Sequence, residues 1–120
     1  AEYLDLLLAK AEAPQATSEQ VGYAAEQLLT APYTSLKDPE RGLQLALRAV
    51  ELETQVGGPF LYWQWTRVGL AHWYLKDFAA SIEAQERARE VAPEHALDQM
   101  NALLDGYEAD LAEQRKEGGE

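Results

Sequence analysis

Residues 62–95, YWQWTRVGLAHWYLKDFAASIEAQERAREVAPEH, carry the pattern that decides the fold. Apolar and aromatic residues recur at steps of three and four in its first half, as on one face of an α-helix. These positions, beginning one residue earlier, are Leu61, Trp65, Val68, His72 and Leu75. After residues 76–78 a second amphipathic segment runs to Pro93, which cannot continue a helix. The stretch predicts two antiparallel helices joined by a tight turn.

A glycine lies in the middle of the first helical face. Gly69 costs about 1 kcal/mol of helix stability relative to alanine, so its presence predicts a close approach by the second helix. Small residues in the second segment, such as Ser81, fit this expectation. Ala25 is the corresponding small residue of an earlier helix, which predicts two helix pairs of similar construction.

The order of these residues resembles a known repeat. Trp65 precedes an apolar residue and Gly69, Asp77 precedes an aromatic residue in the turn, and Pro93 closes the segment. This order resembles the tetratricopeptide repeat, a helix pair with a period of about 34 residues. His72 and Gln85 depart from the family pattern, which has a larger aromatic residue at the first position and an aromatic residue or leucine at the second. The resemblance implies an all-α fold with two such pairs, an N-terminal helix and a C-terminal capping helix.

Helix-start signals organise the rest of the chain. Thr17 and Gln20 have the spacing of a capping box, and Asp38 before Pro39 predicts an N-cap with proline in the first turn. A longer loop at residues 32–37 is expected between these two helices. We expect one domain, divided into an N-terminal helix and linker at 1–16, a first, long-looped repeat at 17–58, a second repeat at 59–93 and a capping helix at 94–117.

The helix predicted after Pro39 is apolar on most sides, and Leu47 belongs to its expected buried surface. Only one polar stripe is left for water. That stripe consists of Arg41, Gln44, Arg48, Glu51 and Gln55. We therefore expect this helix to be buried between the two pairs.

The composition limits the partners that the chain can bind. Twenty-one acidic and 10 basic residues give a net charge of −11, which disfavours nucleic acid and anionic membranes. Cysteine is absent, which excludes disulfides and thiolate chemistry. No apolar run has the length of a membrane span, and we expect a cytoplasmic location. The chain begins without methionine, so we expect a piece of a longer protein.

A narrower resemblance concerns the protein that would contain this chain. The run LLTAPYTSLKDPERGLQLALRAVELETQVGG at residues 28–58, followed by SIEAQERAREVAP at 81–93, is similar to tetratricopeptide segments C-terminal to bacterial serine/threonine protein kinases. These are repeat motifs, and none of the kinase catalytic motifs occurs in the chain. The resemblance implies a larger bacterial regulatory protein.

Candidate catalytic and metal-binding groups do not form a recognisable site in the sequence. His72 has Leu75 and Lys76 at the positions where a helical metal site would place further ligands, so we expect a core histidine. Glu83, together with Glu86 and Glu90, has helical spacing, but arginines three and four residues away predict a surface of ion pairs. Serine-nucleophile motifs are absent. We expect no enzyme activity, no cofactor and no metal.

The second face of the helix in residues 62–75 is also aromatic. A helix that is apolar nearly all round is either buried on both sides or exposes an interaction surface. The resemblance implies that the first helix of each pair lines a groove for a partner segment. Carried over by position, the groove consists of Glu19, Tyr23, Glu26, Thr30, Trp63, Thr66, Arg67, Leu70, Trp73 and Tyr74. The alternative is that Trp63, Trp73 and Tyr74 only pack inside the domain.

Three functions remain open from the sequence. The first is a non-catalytic interaction or scaffolding module that binds a protein or peptide segment in the groove. The second is a homodimerisation element that buries the same aromatic face, because two repeats are fewer than a stable array usually needs. The third is a regulatory domain that senses a small ligand, which no particular residue supports.

Overall fold

The fold is all-α in a computed structural model that describes residues 2–31 and 37–118. The helices are α1 (Glu2–Ala11), α2 (Ser18–Thr30), α3 (Pro39–Val56), α4 (Leu61–Tyr74), α5 (Phe78–Val91) and α6 (Leu97–Glu117), with a 3-10 turn at Glu94–Ala96 before α6. No strand occurs in those two ranges, so the predicted all-α class is confirmed. Residues 32–36 of the predicted loop lie outside the described residues.

The predicted helix starts are present. Thr17 Oγ1 accepts the backbone N–H of Gln20 at 3.1 Å, and Gln20 Oε1 accepts that of Thr17 at 3.0 Å, which completes the capping box of α2. Asp38 Oδ1 accepts the N–H of Arg41 at 3.1 Å, and Pro39 is the first residue of α3. These caps fix where both helices of the first pair begin.

The turn between α4 and α5 is short. Lys76 takes a left-handed backbone conformation with φ of 61°, and Asp77 Oδ1 accepts the N–H of Ala80 at 3.2 Å to cap α5. At the end of α3, Gly57 has φ of 62°, which glycine adopts without the steric penalty of a Cβ. The chain therefore reverses direction within a few residues at both places.

Sequential helices pack antiparallel, and a small residue marks the close approach in each pair. A Cβ at Gly69 would lie 3.3 Å from the Ser81 carbonyl oxygen, and Ser81 Oγ donates to the Gly69 carbonyl at 2.9 Å. In the other pair, a Cβ at Gly42 would lie 3.4 Å from the carbonyl oxygen of Ala25. The close contact predicted from Gly69 is confirmed, and Gly42 supplies the glycine of the first pair.

Alternate helices run parallel. Thr66 Oγ1 of α4 lies 3.4 Å from the sulfur of Met100 in α6, 34 residues later. Trp73 Nε1 donates to Asp110 Oδ2 at 2.7 Å across a separation of 37 residues. Both numbers rise together along the two helices, which defines their parallel direction. The molecule measures 45 × 36 × 19 Å, and its smallest dimension fits two layers of helices spaced roughly 10 Å apart.

The burial of α3 differs from the expectation. Its buried side is a single stripe that contains Leu45, Ala46, Ala49 and Val50, whereas Leu47 is 45% exposed. The prediction that α3 is buried on most sides is therefore wrong. One flank of α3 faces solvent because the chain provides no described helix beyond it.

No helix within residues 2–31 and 37–118 has the length and apolar character that crossing a membrane requires.

Candidate functional site

A cleft of about 370 Å³ opens where α2, α3 and α4 meet. It lies at the N-terminal ends of α2 and α4, next to the turn that follows α3. Its lining combines aromatic, acidic and amide side chains. The lining residues are Thr17, Ser18, Glu19, Glu53, Phe60, Trp63, Gln64 and Arg67. Its volume is at the lower end of the range found for ligand pockets.

A buried carboxylate lies at the base of the cleft. Glu53 of α3 is only 4% exposed. Its Oε1 accepts hydrogen bonds from Ser18 Oγ at 2.9 Å and from Gln64 Nε2 at 3.3 Å. Gln64 itself is 2% exposed, and its Nε2 also lies 3.5 Å from the Ser18 carbonyl oxygen. The three side chains connect α2, α3 and α4 through one polar cluster.

Arg67 continues this polar chain toward α2. Its Nη1 donates to Gln64 Oε1 at 3.0 Å, and its Nε pairs with Glu26 Oε1 at 3.5 Å. The guanidinium carbon also lies 6.0 Å from the ring centroid of Trp63, within the range of a cation–π interaction. Arg67 is therefore held between an amide, a carboxylate and an indole.

Three of the predicted groove residues line this cleft, and a fourth is joined to it by an ion pair. Glu19 and Trp63 line it, while Arg67 lines it and connects it to Glu26. Thr30 is exposed at the far end of α2, where its Oγ1 donates to the Glu26 carbonyl at 2.8 Å.

Two further groove residues are half-buried along α4 and lie away from the cleft. They are Leu70 and Tyr74. The Lys37 ammonium lies 5.3 Å from the Tyr74 ring centroid. The structure does not place either residue on the cleft lining.

The structure places Thr66 and Trp73 on the side of α4 that faces α6. Thr66 is 8% exposed and lies against Met100, so its assignment to the groove was wrong. Trp73 remains half-buried, and its indole is hydrogen-bonded to Asp110. The alternative of packing inside the domain therefore describes Trp73 better than it describes Trp63. The neighbour of Trp73 belongs to α6, and the periodicity of α4 alone does not reveal that contact.

Tyr23 faces α1 rather than α4. Its hydroxyl lies 3.2 Å from that of Tyr3, and this hydrogen bond is the main cause that raises the pKa of Tyr23. Tyr23 and Glu19 also line a shallow depression between α1 and α2, together with Leu7 and Lys10. Tyr23 therefore lies beside the cleft without contributing to its lining.

Sequence reasoning missed Glu53, Gln64, Ser18 and Phe60 as site residues. A signal for Glu53 was present, because it continues the i, i+3, i+4 stripe of Ala49 and the other buried residues of α3. Gln64 likewise lies on the buried stripe of α4. For Phe60, which is 59% exposed, no periodic signal exists because it precedes the helix.

A second depression lies on the opposite side of α4, between α3 and α5. It is lined by Leu47, Trp65, Val68, His72, Ala80, Glu83, Ala84 and Arg87. The guanidinium carbon of Arg87 lies 5.2 Å from the Trp65 ring centroid. His72 is half-buried there and is not enclosed in the core as the sequence analysis expected.

One of the ion pairs predicted on α5 is present in the described part of the chain, between Arg87 and Glu83, whereas Glu86 and Glu90 form none there. Arg87 Nη2 lies 3.5 Å from Glu83 Oε1 in an i, i+4 pair. Within the part of the chain that the structure describes, no group of three or more His, Cys, Asp or Glu residues could hold a metal ion.

Comparisons with protein-family models, with curated proteins and with solved structures found no match to this chain.

Proposed function

We propose that this chain is a non-catalytic tetratricopeptide-like module that binds a segment of a partner protein across α2 and α4. The observation that carries the proposal is the open cleft where α2 and α4 meet α3, which has Trp63 in its lining together with acidic, amide and cationic side chains. Aromatic residues in such positions commonly dominate protein recognition. The resemblance to kinase-associated segments suggests a larger bacterial regulatory protein as its setting.

The helix arrangement supports the repeat assignment. The contacts of α4 with α6 join residues 34 and 37 positions apart, close to the period of about 34 residues that the repeat has. The contact between Glu26 and Arg67 joins α2 to α4 across 41 residues, as expected when the first pair contains a longer loop. In such an array the first helices of successive pairs share one layer and offer one continuous surface.

The test is a selection of peptides from a random displayed library on the purified chain, followed by affinity measurements on the selected peptides. Replacing Trp63 by alanine should lower their affinity by about tenfold or more. Trp65 provides the matched control, because it is a half-buried tryptophan on the same helix that lines the opposite depression. The W65A variant should keep the wild-type affinity.

Circular dichroism should show that both variants retain the helical content of the parent. If no peptide is enriched, or if the selected peptides bind W63A as tightly as the wild type, the proposed function is wrong.

Homodimerisation through the same face is the alternative, since Trp63 is still half-buried rather than enclosed. Glu19, Glu26 and Glu53 lie on this side together with Arg67. Two copies would bring these carboxylates together, and like charges oppose association. Sedimentation equilibrium at high micromolar concentration decides between the two, since a dimer that W63A dissociates would favour the alternative.

A further inference from the structure

Among the residues that the structure describes, the carboxylate of Glu53 has no counter-charge. Glu53 is more than nine-tenths buried, and no lysine or arginine within the described ranges forms an ion pair with it. Its two hydrogen bonds both reach Oε1, and none from a described residue reaches Oε2. Burying a charge is unfavourable unless it is paired. The base of the cleft therefore attracts a positive charge.

Arg67 does not supply a positive charge to Glu53, although it lines the same cleft. The amide of Gln64 stands between them, with its Nε2 toward Glu53 and its Oε1 toward the guanidinium at 3.0 Å. The positive charge of Arg67 is instead paired with Glu26. Because the amide uses one end for each neighbour, it keeps the Arg67 guanidinium away from Glu53.

The walls of the cleft suit the rest of a long cationic side chain. Phe60 and Trp63 provide aromatic surfaces, on which a methylene chain can pack and toward which a cation is attracted. Glu19 adds a second carboxylate at the exposed rim. The volume of about 370 Å³ is small for a ligand site, which fits one inserted side chain.

We infer that this cleft receives an arginine or lysine side chain of the partner segment, with its cationic group at Glu53 and its stem against Trp63. The inference rests on the proposed function and specifies the chemistry of its partner. A basic segment also suits the net charge of −11, because opposite charges accelerate encounter.

The test is a titration of the isotope-labelled full chain, followed by two-dimensional NMR, with three blocked amino acids. N-acetyl-arginine methylamide and N-acetyl-lysine methylamide carry the charge, and N-acetyl-citrulline methylamide is the neutral analogue of the first. We expect saturable shifts of the Trp63 indole N–H signal with at least one of the two cations and none with citrulline. The larger response identifies the preferred side chain. The Trp73 indole, which is bonded to Asp110, serves as the internal reference and should not shift.

A charge-removing variant locates the binding group. E53Q keeps the shape of the side chain and an oxygen that can accept from Ser18, and it should weaken cation binding about tenfold or more. E51Q is the matched control, because Glu51 is an exposed glutamate on the same helix, and it should bind as the wild type does. Circular dichroism shows whether E53Q is folded. If E53Q does not fold, the comparison of arginine with citrulline on the wild-type chain still decides the inference.

Equal binding of citrulline and arginine, a response that does not saturate, or an unchanged affinity in folded E53Q would overturn the inference. The peptide selection separates this failure from that of the proposed function. If selected peptides need Trp63 but show no preference for basic residues, the module binds segments in another way. If the blocked cations bind while no peptide is selected, the cleft is a cation site and the proposed function fails.

Discussion

Gly22 of α2 lies directly beneath the side chain of Arg67 in α4. A Cβ at Gly22 would be 2.5 Å from Arg67 Nη1 and 2.5 Å from Gln64 Oε1, which is closer than real Cβ contacts. Because Gly22 has no side chain, the hydrogen-bonded side chains of Gln64 and Arg67 can extend across α2, and Arg67 can reach Glu26. This arrangement ties the first helices of the two pairs together.

Replacing Gly22 by alanine should displace the Arg67 and Gln64 side chains. Alanine gains about 1 kcal/mol of helix propensity, but the loss of the hydrogen bonds around Arg67 costs about 1 to 2 kcal/mol. We expect G22A to be no more stable than the wild type in urea unfolding.

Gly106 of α6 is the control, because a Cβ there meets nothing within 4 Å. G106A should raise the free energy of unfolding by about 0.5 to 1 kcal/mol. An equal gain in G22A would show that Arg67 and Gln64 do not need the space.

Gly58 lies against the side chain of Glu53, as Gly22 lies against that of Arg67. A Cβ at Gly58 would lie 1.5 Å from Glu53 Oε2 and 2.6 Å from Cδ, so G58A must move the carboxylate away from Ser18 and Gln64. We expect a loss of about 1 to 2 kcal/mol in the free energy of unfolding. A double-mutant cycle tests the cause, because G58A should be nearly neutral in an E53A background. The same loss in both backgrounds would assign the effect to the backbone at Gly58.

Asp110 anchors α6 to the middle of the molecule. Its Oδ2 accepts the indole N–H of Trp73 at 2.7 Å. Hydrogen bonds to charged groups contribute about 1.5 to 3 kcal/mol, and partial solvent access lowers this, so D110A should destabilise the chain by about 1 to 2 kcal/mol. D105A, at an exposed position of the same helix, should have an effect below about 0.5 kcal/mol. Equal effects of the two changes would contradict the anchoring role.

Tyr107 makes the stability depend on pH in the alkaline range. Burial, and then the negative charge of Asp110 and the nearby Tyr74, raises its pKa to about 12, whereas an unfolded tyrosine has a pKa of about 10. The folded state thus favours the neutral phenol, and this contribution is complete below about pH 10 and is lost as the pH rises through about 12. After allowance for solvent we expect a loss of about 1 to 2 kcal/mol.

Urea unfolding gives the free energy of unfolding of the wild type and of Y107F at each pH in this range. The difference between the two pH profiles is the contribution of Tyr107 ionisation. Y107F should lack it, because phenylalanine does not ionise. Parallel pH profiles of the two proteins would contradict the assignment.

Local signals in the sequence were enough to predict most of the helices. Thr17, Asp38 and Asp77 each precede a helix, and each side chain caps it. Gly69 also predicted its close contact correctly. These features depend on residues near one another in the chain or on one neighbouring helix, so their pattern is visible in a single sequence.

The candidate site was only partly predictable because it depends on three helices at once. The helical periodicity of α4 was interpreted with one buried side, which placed Thr66 on a free surface. In the structure α6 covers a second side of α4, and Thr66 lies there. The periodicity of α3 marks Glu53 as a buried position, but its partners Ser18 and Gln64 become apparent only when α2 and α4 are placed beside it. The alignment of α2 with α4 depends on Gly22, whose role appears only when Arg67 lies across it.

The interface of α5 and α6 contains a buried amide that is incompletely satisfied. Gln85 Nε2 donates to the sulfur of Met100 at 3.1 Å, which is a weak acceptor. Its Oε1 has no hydrogen-bond partner within the described ranges, at a cost of about 1 to 3 kcal/mol. Helix α6 should therefore separate before α2 and α4 in the native ensemble, and its amide protons should exchange with deuterium faster than those of these two helices. A leucine in place of Gln85 should slow that exchange and make the molecule open as one unit.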